Sequence, residues 1–241
     1  MAETPSAFVY IVPTFHNPSG VTLTAARRER LDRLSEKYKF YVVADEVYHL
    51  LSYTREPPPP MANYNRSGKV LSVGSFAKIL APGLRLGWIQ AAPEVIRQLT
   101  ASALLKSGGG MNPFTSAVVQ SMIELGLQQR HLERLIAVYS QRATDLVTAM
   151  HKHLPVSVVF EEPRGGFFLW MQLPDGMNAQ SLRKAAKTQW VNFQPGINFS
   201  ATGGFSNFIR LCFVYYSSEN LREGTKRLGE VMLRSQKESS K

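Results

Sequence analysis

One lysine in an apolar segment is the residue of this sequence best suited to covalent chemistry. Lys78 lies within the largely apolar residues 76–80, with Ser75 three positions before it and Arg85 seven positions after it. Burial among apolar side chains favours the neutral amine of a lysine, which can attack a carbonyl carbon. A serine hydroxyl and an arginine guanidinium are groups that bind a phosphate. The alternative is a solvated surface lysine beside a turn, and the rest of the chain decides between these two interpretations.

The elements that must position these residues alternate between strands and helices in the first part of the chain. Short apolar segments predict strands at residues 7–13, 40–44, 70–73 and 87–91. Helices are predicted at residues 22–39, 94–106 and 114–127, the last two separated by the glycine-rich residues 107–110. In the helix at 22–39 the following apolar residues share one face: Leu23, Ala26, Leu31, Leu34 and Tyr38. This pattern predicts an α/β fold with a mostly parallel sheet sandwiched by helices.

The remainder of the chain predicts a smaller α+β region. A long helix is predicted at residues 131–153, and shorter elements follow it: strands at 156–160, 166–172 and 208–214, and helices at 179–189 and 218–234. The pattern of predicted elements changes near Tyr139. The sequence therefore predicts a large domain at residues 7–138 and a small C-terminal domain at residues 139–241.

Polar residues closely follow the first three predicted strands. Asn17 follows the first, Asp45 the second, and Ser75 with Lys78 the third. Ligands of open parallel sheets bind outside the carboxyl ends of the strands, so these residues predict one site. A lysine that can attack a carbonyl, together with groups that bind a phosphate, suggests pyridoxal 5′-phosphate as the cofactor, because this molecule carries both a carbonyl and a phosphate. Asp45 would keep its ring nitrogen protonated through a charge-assisted hydrogen bond worth about 1.5–3 kcal/mol, and Tyr48 would donate to its phenolic oxygen.

These residues also have purely structural interpretations. Asp45 is suited to capping a helix or a turn, and residues 17–20, Asn-Pro-Ser-Gly, are typical of a turn by themselves. Tyr48 is suited to packing as a half-buried aromatic residue. Their occurrence together, in this order, favours the cofactor site.

Three segments of the chain resemble class I/II aminotransferases of pyridoxal phosphate fold type I. They are residues 13–20 (PTFHNPSG), 44–48 (ADEVY) and 75–85 (SFAKILAPGLR). They look most similar to the 2-aminoadipate and kynurenine aminotransferase branch and to the aminotransferase-like domains of MocR regulators. The resemblance extends from about residue 7 to residue 233, nearly the whole chain.

The resemblance implies a role for each candidate residue around the cofactor. Lys78 would form a Schiff base with it and, once released by an incoming amino acid, would shuttle a proton at the substrate α-carbon. The remaining contacts are implied as follows: Asp45 with the pyridine nitrogen, Asn17 and Tyr48 with the phenolic oxygen, and Ser75 and Arg85 with the phosphate.

Arg210 is implied as the residue that binds the substrate carboxylate, with Asn17 as a second substrate contact. It lies among the apolar residues of 207–211 (NFIRL), and its planar guanidinium can hold a carboxylate through two parallel hydrogen bonds. A structural ion pair is the alternative for Arg210. The implied reaction transfers an α-amino group from an amino acid to a 2-oxo acid in a ping-pong cycle. The implied substrates are 2-aminoadipate, aromatic or branched-chain amino acids.

The resemblance also implies a longer protein. Family members carry a region before the strand at residues 7–13 that supplies a glycine-rich phosphate loop, an aromatic residue stacked on the pyridine ring, and dimer contacts. We therefore expect a fragment of a homodimeric protein, or a chain that a second polypeptide completes. The alternatives are the cofactor- or effector-binding domain of a MocR-type transcriptional regulator and a fragment that is inactive alone. A lyase or decarboxylase on the same fold also stays open.

Composition excludes several other classes. The net charge is +10, but basic and acidic residues are interleaved at 27–39, as on a solvated helix face, so we expect no nucleic acid partner for this chain. No apolar run approaches the roughly 18 residues of a membrane span, so we expect no membrane partner. Cys212 is the only cysteine and the five histidines are scattered, which predicts no disulfide, no metal site and a cytoplasmic location.

Overall fold

The computed structural model describes residues 7–54, 56–106 and 111–239, so the predicted loop at 107–110 lies outside the described residues. The chain divides into two compact units. The first comprises Met1–His16 and Val21–Ile136, and the second comprises Asn17–Gly20 and Ala137–Lys241. The short loop that carries Asn17 is thus grouped with the C-terminal residues.

The first unit is built on a four-stranded sheet. Its strands are adjacent in chain order: β1 (Phe8–Ile11), β2 (Tyr41–Asp45), β3 (Val70–Ser75) and β4 (Gly87–Gln90). The first three run parallel and β4 runs antiparallel to β3. A parallel return needs a crossover of about a dozen residues or more, usually a full helix. The β3–β4 connection holds only the one-turn helix α2 (Phe76–Ile79) and a 3-10 turn (Pro82–Leu84), and β4 accordingly returns antiparallel. Because the other two strand pairings are parallel, the prediction of a mostly parallel sheet is confirmed.

One face of this sheet covers a fully buried core. Val42 and Ala44 of β2 pack there with Met61 and Val70. Alternate residues of a strand point to opposite faces, and the other face carries the exposed aromatic residues Phe8 and Tyr10 of β1 and Tyr41 of β2. Asp45 is in phase with Tyr41, so it belongs to this second face.

Helix α1 (Ala25–Tyr38) buries a polar stripe, and its Leu31 packs against the apolar core. The predicted apolar face is confirmed only in part: Leu31 packs against the core and Leu23 and Leu34 are half-buried, but Ala26 and Tyr38 are exposed. Arg28, Asp32 and Ser35 are buried as well. These three lie at spacings of four and three residues, which places them on one helix face. Each makes hydrogen bonds that compensate its burial; for example, the Asp32 carboxylate accepts from the backbone nitrogens of Arg66 and Ser67 at 3.3 Å. The predicted solvated face of charged residues is wrong at Arg28 and Asp32.

The remaining helices differ from the sequence prediction mainly in their ends. The single helix predicted at 94–106 is divided into α3 (Pro93–Thr100) and α4 (Ala103–Lys106). Two further helices follow, α5 (Pro113–Glu124) and the long α6 (Leu127–His153). No helix in the part of the chain that the structure describes is long and apolar enough to cross a membrane.

The second unit is an antiparallel sheet with helices. The spatial order of its strands is β5 (Val159–Phe160), β6 (Phe168–Gln172), β8 (Phe208–Cys212) and β7 (Gln194–Pro195). Its helices are α7 (Ala179–Thr188) and α8 (Ser218–Ser239), and side chains such as Met171, Ile209 and Met232 form the core. The strand predicted at 156–160 is shorter than expected, and β7 lies where no strand was predicted.

Candidate active site

Asp45 ends β2, and two hydrogen bonds hold its carboxylate. The Tyr10 hydroxyl donates to Oδ2 at 2.5 Å, and the backbone nitrogen of Val47 donates to Oδ1 at 3.3 Å. Tyr10 pairs with Val43, two residues before Asp45, so both side chains lie on the same face of the sheet. The bond from Val47 is the turn cap that the sequence offered as an alternative. Asp45 is only half-buried, so a further donor can reach its carboxylate.

Tyr10 was not singled out from the sequence. Partial burial, the hydrogen bond to Asp45 and the negative charge of that carboxylate raise the pKa of Tyr10 to about 12. The phenol of Tyr48, in the turn after β2, adds to the same effect and is therefore close to this pair. Tyr48 is buried. Tyr10 consequently stays protonated, and able to donate, throughout the neutral range.

Ser75 ends β3 and caps helix α2, which carries Lys78. The Ser75 hydroxyl accepts from the backbone nitrogen of Ala77 at 3.1 Å and donates to the carbonyl of Leu86 at 3.5 Å. Lys78 is half-buried on the single turn of α2. The predicted lysine therefore lies directly beyond the carboxyl end of β3, next to the end of β2 that carries Asp45.

Arg85 lies at the same end of β3. The register pairs Ser75, the last residue of β3, with Gly87 of β4. The backbone nitrogen of Phe76 donates to the carbonyl of Leu86 at 3.0 Å, and Arg85 directly precedes Leu86. Arg85 is exposed, adopts a left-handed backbone conformation with φ of 50°, and donates to the carbonyl of Pro82 at 3.4 Å. Its guanidinium is accessible to an anion from solvent.

A buried polar network joins the strand ends behind these residues. Arg28 is fully buried and donates to Oε1 of Glu46 at 3.4 Å and to the Thr14 hydroxyl at 2.8 Å. It also donates to the carbonyls of Pro13 and Leu23, each at 3.0 Å. Thr14 follows β1, Glu46 follows β2, and Arg28 belongs to α1. One guanidinium thus ties three segments of the first unit together.

Glu46 and His49 complete this network. Both oxygens of Glu46 accept from the backbone nitrogen of Met61 at 3.0 Å, and the hydroxyl of Ser72 on β3 donates to Oε2. Burial raises the pKa of Glu46, whereas these hydrogen bonds and the Arg28 charge oppose that effect. Burial and the Arg28 charge lower the pKa of His49 to about 4. Its Nδ1 lies 3.2 Å from the Thr14 hydroxyl, which accepts from Arg28 and can donate to the neutral ring.

In the second unit, Arg210 and Asn17 form a direct pair. Arg210 lies on β8, and its Nη1 donates to Oδ1 of Asn17 at 2.6 Å. The guanidinium carbon lies 4.0 Å from the ring centre of Phe168 and 4.8 Å from that of Phe199. Cation–π contacts with two rings orient the planar fork of the guanidinium. The predicted substrate contacts, Asn17 and Arg210, are therefore brought together.

The predicted residues accordingly fall into two groups. Asp45, Tyr48, Ser75, Lys78 and Arg85 lie at the carboxyl ends of β2 and β3 in the first unit, and Asn17 with Arg210 lies in the second. Within the described ranges there is no cluster of three or more histidine, cysteine, aspartate or glutamate side chains that could hold a metal ion.

The chain matches the sequence model of the family described as aminotransferase class I and II over residues 3–228. It is 37% identical over 226 residues to aromatic-amino-acid aminotransferase 1 of Thermococcus litoralis, covering 93% of this chain and 54% of that protein. It is 30% identical over 227 residues to the uncharacterized HTH-type transcriptional regulator YdfD of Bacillus subtilis, covering 94% of this chain and 46% of the regulator.

A solved structure shows the same fold. The α-aminoadipate aminotransferase LysN of Thermus thermophilus, complexed with N-(5′-phosphopyridoxyl)-L-leucine, matches with a TM-score of 0.85 and 31% identity. The match covers 94% of this chain and 59% of that chain.

The sheet, the lysine beyond its third strand and these matches define a fold type I chain of the pyridoxal phosphate class. More narrowly, the chain belongs to the class I and II aminotransferase family. The resemblance and the fold class expected from the sequence are thereby confirmed. The family match and the phosphopyridoxyl group of the Thermus complex confirm pyridoxal 5′-phosphate as the cofactor of this family. The chain spans 54% of the length of its Thermococcus relative.

Proposed function

We propose that this chain forms part of a pyridoxal 5′-phosphate-dependent aminotransferase that transfers an α-amino group between an amino acid and a 2-oxo acid. The observation that carries the proposal is the position of Lys78, on α2 directly beyond the Ser75 cap and beside the end of β2 that carries Asp45. In open α/β sheets this is the edge at which ligands bind.

The donor set at this edge fits the cofactor. It offers an amine for the carbonyl, a carboxylate for the pyridine nitrogen, and a hydroxyl with an accessible guanidinium for the phosphate: Lys78, Asp45, Ser75 and Arg85. Pyridoxal phosphate, when bound, supplies an electron sink for the substrate α-carbon. Tyr48 and Asn17 are proposed to contact its phenolic oxygen.

Lys78 has two tasks in this proposal. Its amine binds the cofactor covalently, and after release it moves a proton at the substrate α-carbon, a general acid–base role worth about 10²–10⁴-fold in rate. Asp45 would hold a proton on the pyridine nitrogen, because the negative charge of its carboxylate favours the protonated form of the ring. Neither task requires a metal ion.

Arg210 is proposed to bind the substrate carboxylate. The two aromatic rings and Asn17 orient its guanidinium. A bidentate arginine–carboxylate pair fixes the substrate α-carbon for chemistry, which is the main benefit of a positioned substrate. Asn17 is the second proposed substrate contact.

The substrates and setting of the whole protein are also proposed. The names of the relatives favour aromatic amino acids or 2-aminoadipate. Branched-chain amino acids are a further class, which only the sequence resemblance implies. The full-length protein is proposed to be a cytoplasmic homodimer that acts on amino acids and 2-oxo acids, with no nucleic acid bound by this chain. The residues 7–138 and 139–241 are proposed as its cofactor-binding and small domains.

Covalent trapping tests the assignment of Lys78. The protein is incubated with pyridoxal 5′-phosphate, reduced with borohydride, digested and analysed by mass spectrometry. We expect phosphopyridoxyl modification at Lys78 and loss of the visible Schiff-base absorbance in Lys78→Ala. The matched control Lys69→Ala, at the opposite end of β3, should keep both signals. Equal modification of Lys69 and Lys78, or an unchanged spectrum in Lys78→Ala, would refute the assignment.

A second candidate is the ligand-sensing domain of a MocR-type regulator. The similarity to the helix-turn-helix regulator of Bacillus subtilis over 94% of this chain favours it. Such a protein binds the cofactor at the same residues but does not release an amino-transfer product. The two candidates are separated by incubating the loaded protein with a panel of amino acids and measuring the 2-oxo acids formed. Failure of the chain alone to bind the cofactor would favour a fragment that is inactive by itself.

A further inference from the structure

Tyr10 combines an exposed ring with a bound hydroxyl. The residue is 57% exposed on the open face of the sheet, yet its hydroxyl lies 2.5 Å from Oδ2 of Asp45. Phe8, one pleat earlier on the same strand and face, is similarly exposed and has no polar atom to offer. The hydroxyl is therefore the part of the Tyr10 side chain that makes a specific contact.

The Asp45 carboxylate is fixed from two sides. Tyr10 holds Oδ2 and the backbone nitrogen of Val47 holds Oδ1, so rotation about the bond to the carboxylate would break both hydrogen bonds. A carboxylate oxygen has two lone pairs, and each can accept a donor. Both oxygens therefore retain capacity for one more N–H after these bonds are made.

The charged and titratable groups around Tyr10 and Asp45 keep the hydrogen bond between them independent of pH. Tyr48 approaches Tyr10 from the turn after β2, and the adjacent Glu46 is engaged in the buried network with Arg28. Because the pKa of Tyr10 is raised to about 12, the phenol remains a donor at any pH at which the protein is studied. The hydrogen bond from Tyr10 to Asp45 is therefore structural and does not act as a pH switch.

We propose that Tyr10 is a positioning residue, whose hydroxyl holds the Asp45 carboxylate in the orientation that accepts the pyridine N–H of pyridoxal 5′-phosphate. This inference rests on the proposed function. Tyr10 acts through Asp45 alone, so its contribution disappears when Asp45 no longer carries a carboxylate.

The test measures non-covalent cofactor binding in the full-length protein. Pyridoxamine 5′-phosphate is the probe, because it has an amine in place of the carbonyl and cannot bind covalently to Lys78. We expect Tyr10→Phe to weaken its binding about 3- to 10-fold, the range for one hydrogen bond. In the background of Asp45→Asn the same substitution should change binding less than about 2-fold, since the two residues act as a unit.

A spectroscopic readout separates positioning from general loss of structure. With an isotopically labelled pyridine nitrogen, Tyr10→Phe should shift its resonance towards that of the unprotonated ring. Tyr41→Phe is the matched control, because Tyr41 is an exposed tyrosine on the face of β2 that also carries Asp45, and its ring contacts the ammonium of Lys69. This substitution should leave the probe affinity and the nitrogen resonance unchanged.

Three outcomes overturn the inference. If Tyr10→Phe binds the probe as tightly as the wild-type protein, or weakens binding equally with Asp45→Asn present, the inference fails while the proposed function stands. If the wild-type protein binds no probe and is not trapped at Lys78, the proposed function fails and the inference with it.

Discussion

Replacing Arg28 by methionine should destabilise the first unit far more than replacing an exposed arginine of α1. The side chain is fully buried and donates to Glu46, to the Thr14 hydroxyl and to two backbone carbonyls. Methionine keeps much of the volume but leaves the Glu46 carboxylate buried without its cation. Breaking a buried ion pair in this way costs about 3–5 kcal/mol.

The pH dependence of this loss identifies its cause. Burial already raises the pKa of Glu46 above its ordinary value of 4.5, and without Arg28 it should rise further. A group whose pKa is raised on folding binds more protons in the folded state, so the variant should regain stability relative to the wild type as pH falls. The regain is at most about 1.4 kcal/mol per pH unit.

Urea unfolding followed by circular dichroism measures the effect, at pH 7 and at pH 5.5. Arg33→Met is the matched control, because Arg33 lies on the same helix in an exposed ion pair with Glu29 at 3.7 Å. Such a pair is worth about 0.5 kcal/mol or less. The double variant Arg28→Met/Glu46→Gln should be more stable than Arg28→Met alone. Equal effects of Arg28→Met and Arg33→Met, or a double variant less stable than the single one, would refute the reasoning.

Three further predictions concern other parts of the chain. The pKa of His49 is about 4 in the folded protein against 6.5 ordinarily, so the unfolded state binds more protons between these values. Stability should fall by about 3 kcal/mol as pH drops from 6.5 to 4, and His49→Gln should remove most of that slope in urea titrations. On α8, Gly229→Ala should lower the melting temperature, because its Cβ would lie 2.1 Å from the His153 carbonyl. Gly224→Ala is the control: its Cβ would meet nothing within 4 Å, so it should raise the free energy of unfolding by about 0.5–1 kcal/mol. Arg210→Lys keeps the charge but loses the bidentate fork, so the KM for amino acids should rise about 10-fold or more in steady-state assays while pyridoxamine 5′-phosphate affinity is retained; an unchanged KM would exclude Arg210 as the carboxylate-binding residue.

The positions of Asp45, Ser75 and Lys78 could be predicted because they depend on local pattern. Each follows an apolar β-rich segment, and parallel strands present their carboxyl ends at one edge of a sheet. The antiparallel direction of β4 could have been inferred from its short connection to β3, which leaves no room for a crossover.

The burial of Arg28 could not be predicted from the same pattern. A charged residue among alternating charges on a helix is typical of a solvated face, and its partners Thr14 and Glu46 come from two other segments. Only the assembled fold brings them within hydrogen-bonding distance. The Tyr10–Asp45 bond has the same origin, since it depends on the register of β1 against β2.

The pairing of Asn17 with Arg210 likewise depends on a contact between residues far apart in sequence. The sequence placed Asn17 after the first strand, among the cofactor residues. The structure groups its loop with the second unit, and a left-handed residue, Phe15, lies just before that loop. Chain direction at such a turn is set by tertiary contacts that strand and helix patterns do not encode.

A single-turnover half-reaction tests the central proposal most directly. The protein loaded with pyridoxal 5′-phosphate is mixed with an excess of an aromatic amino acid or 2-aminoadipate, without a 2-oxo acid acceptor, and the products are quantified. Stoichiometric pyridoxamine 5′-phosphate and 2-oxo acid, absent in Lys78→Ala, are predicted. Cofactor that stays bound at Lys78 while neither product forms would contradict the aminotransferase proposal and favour the ligand-sensing one.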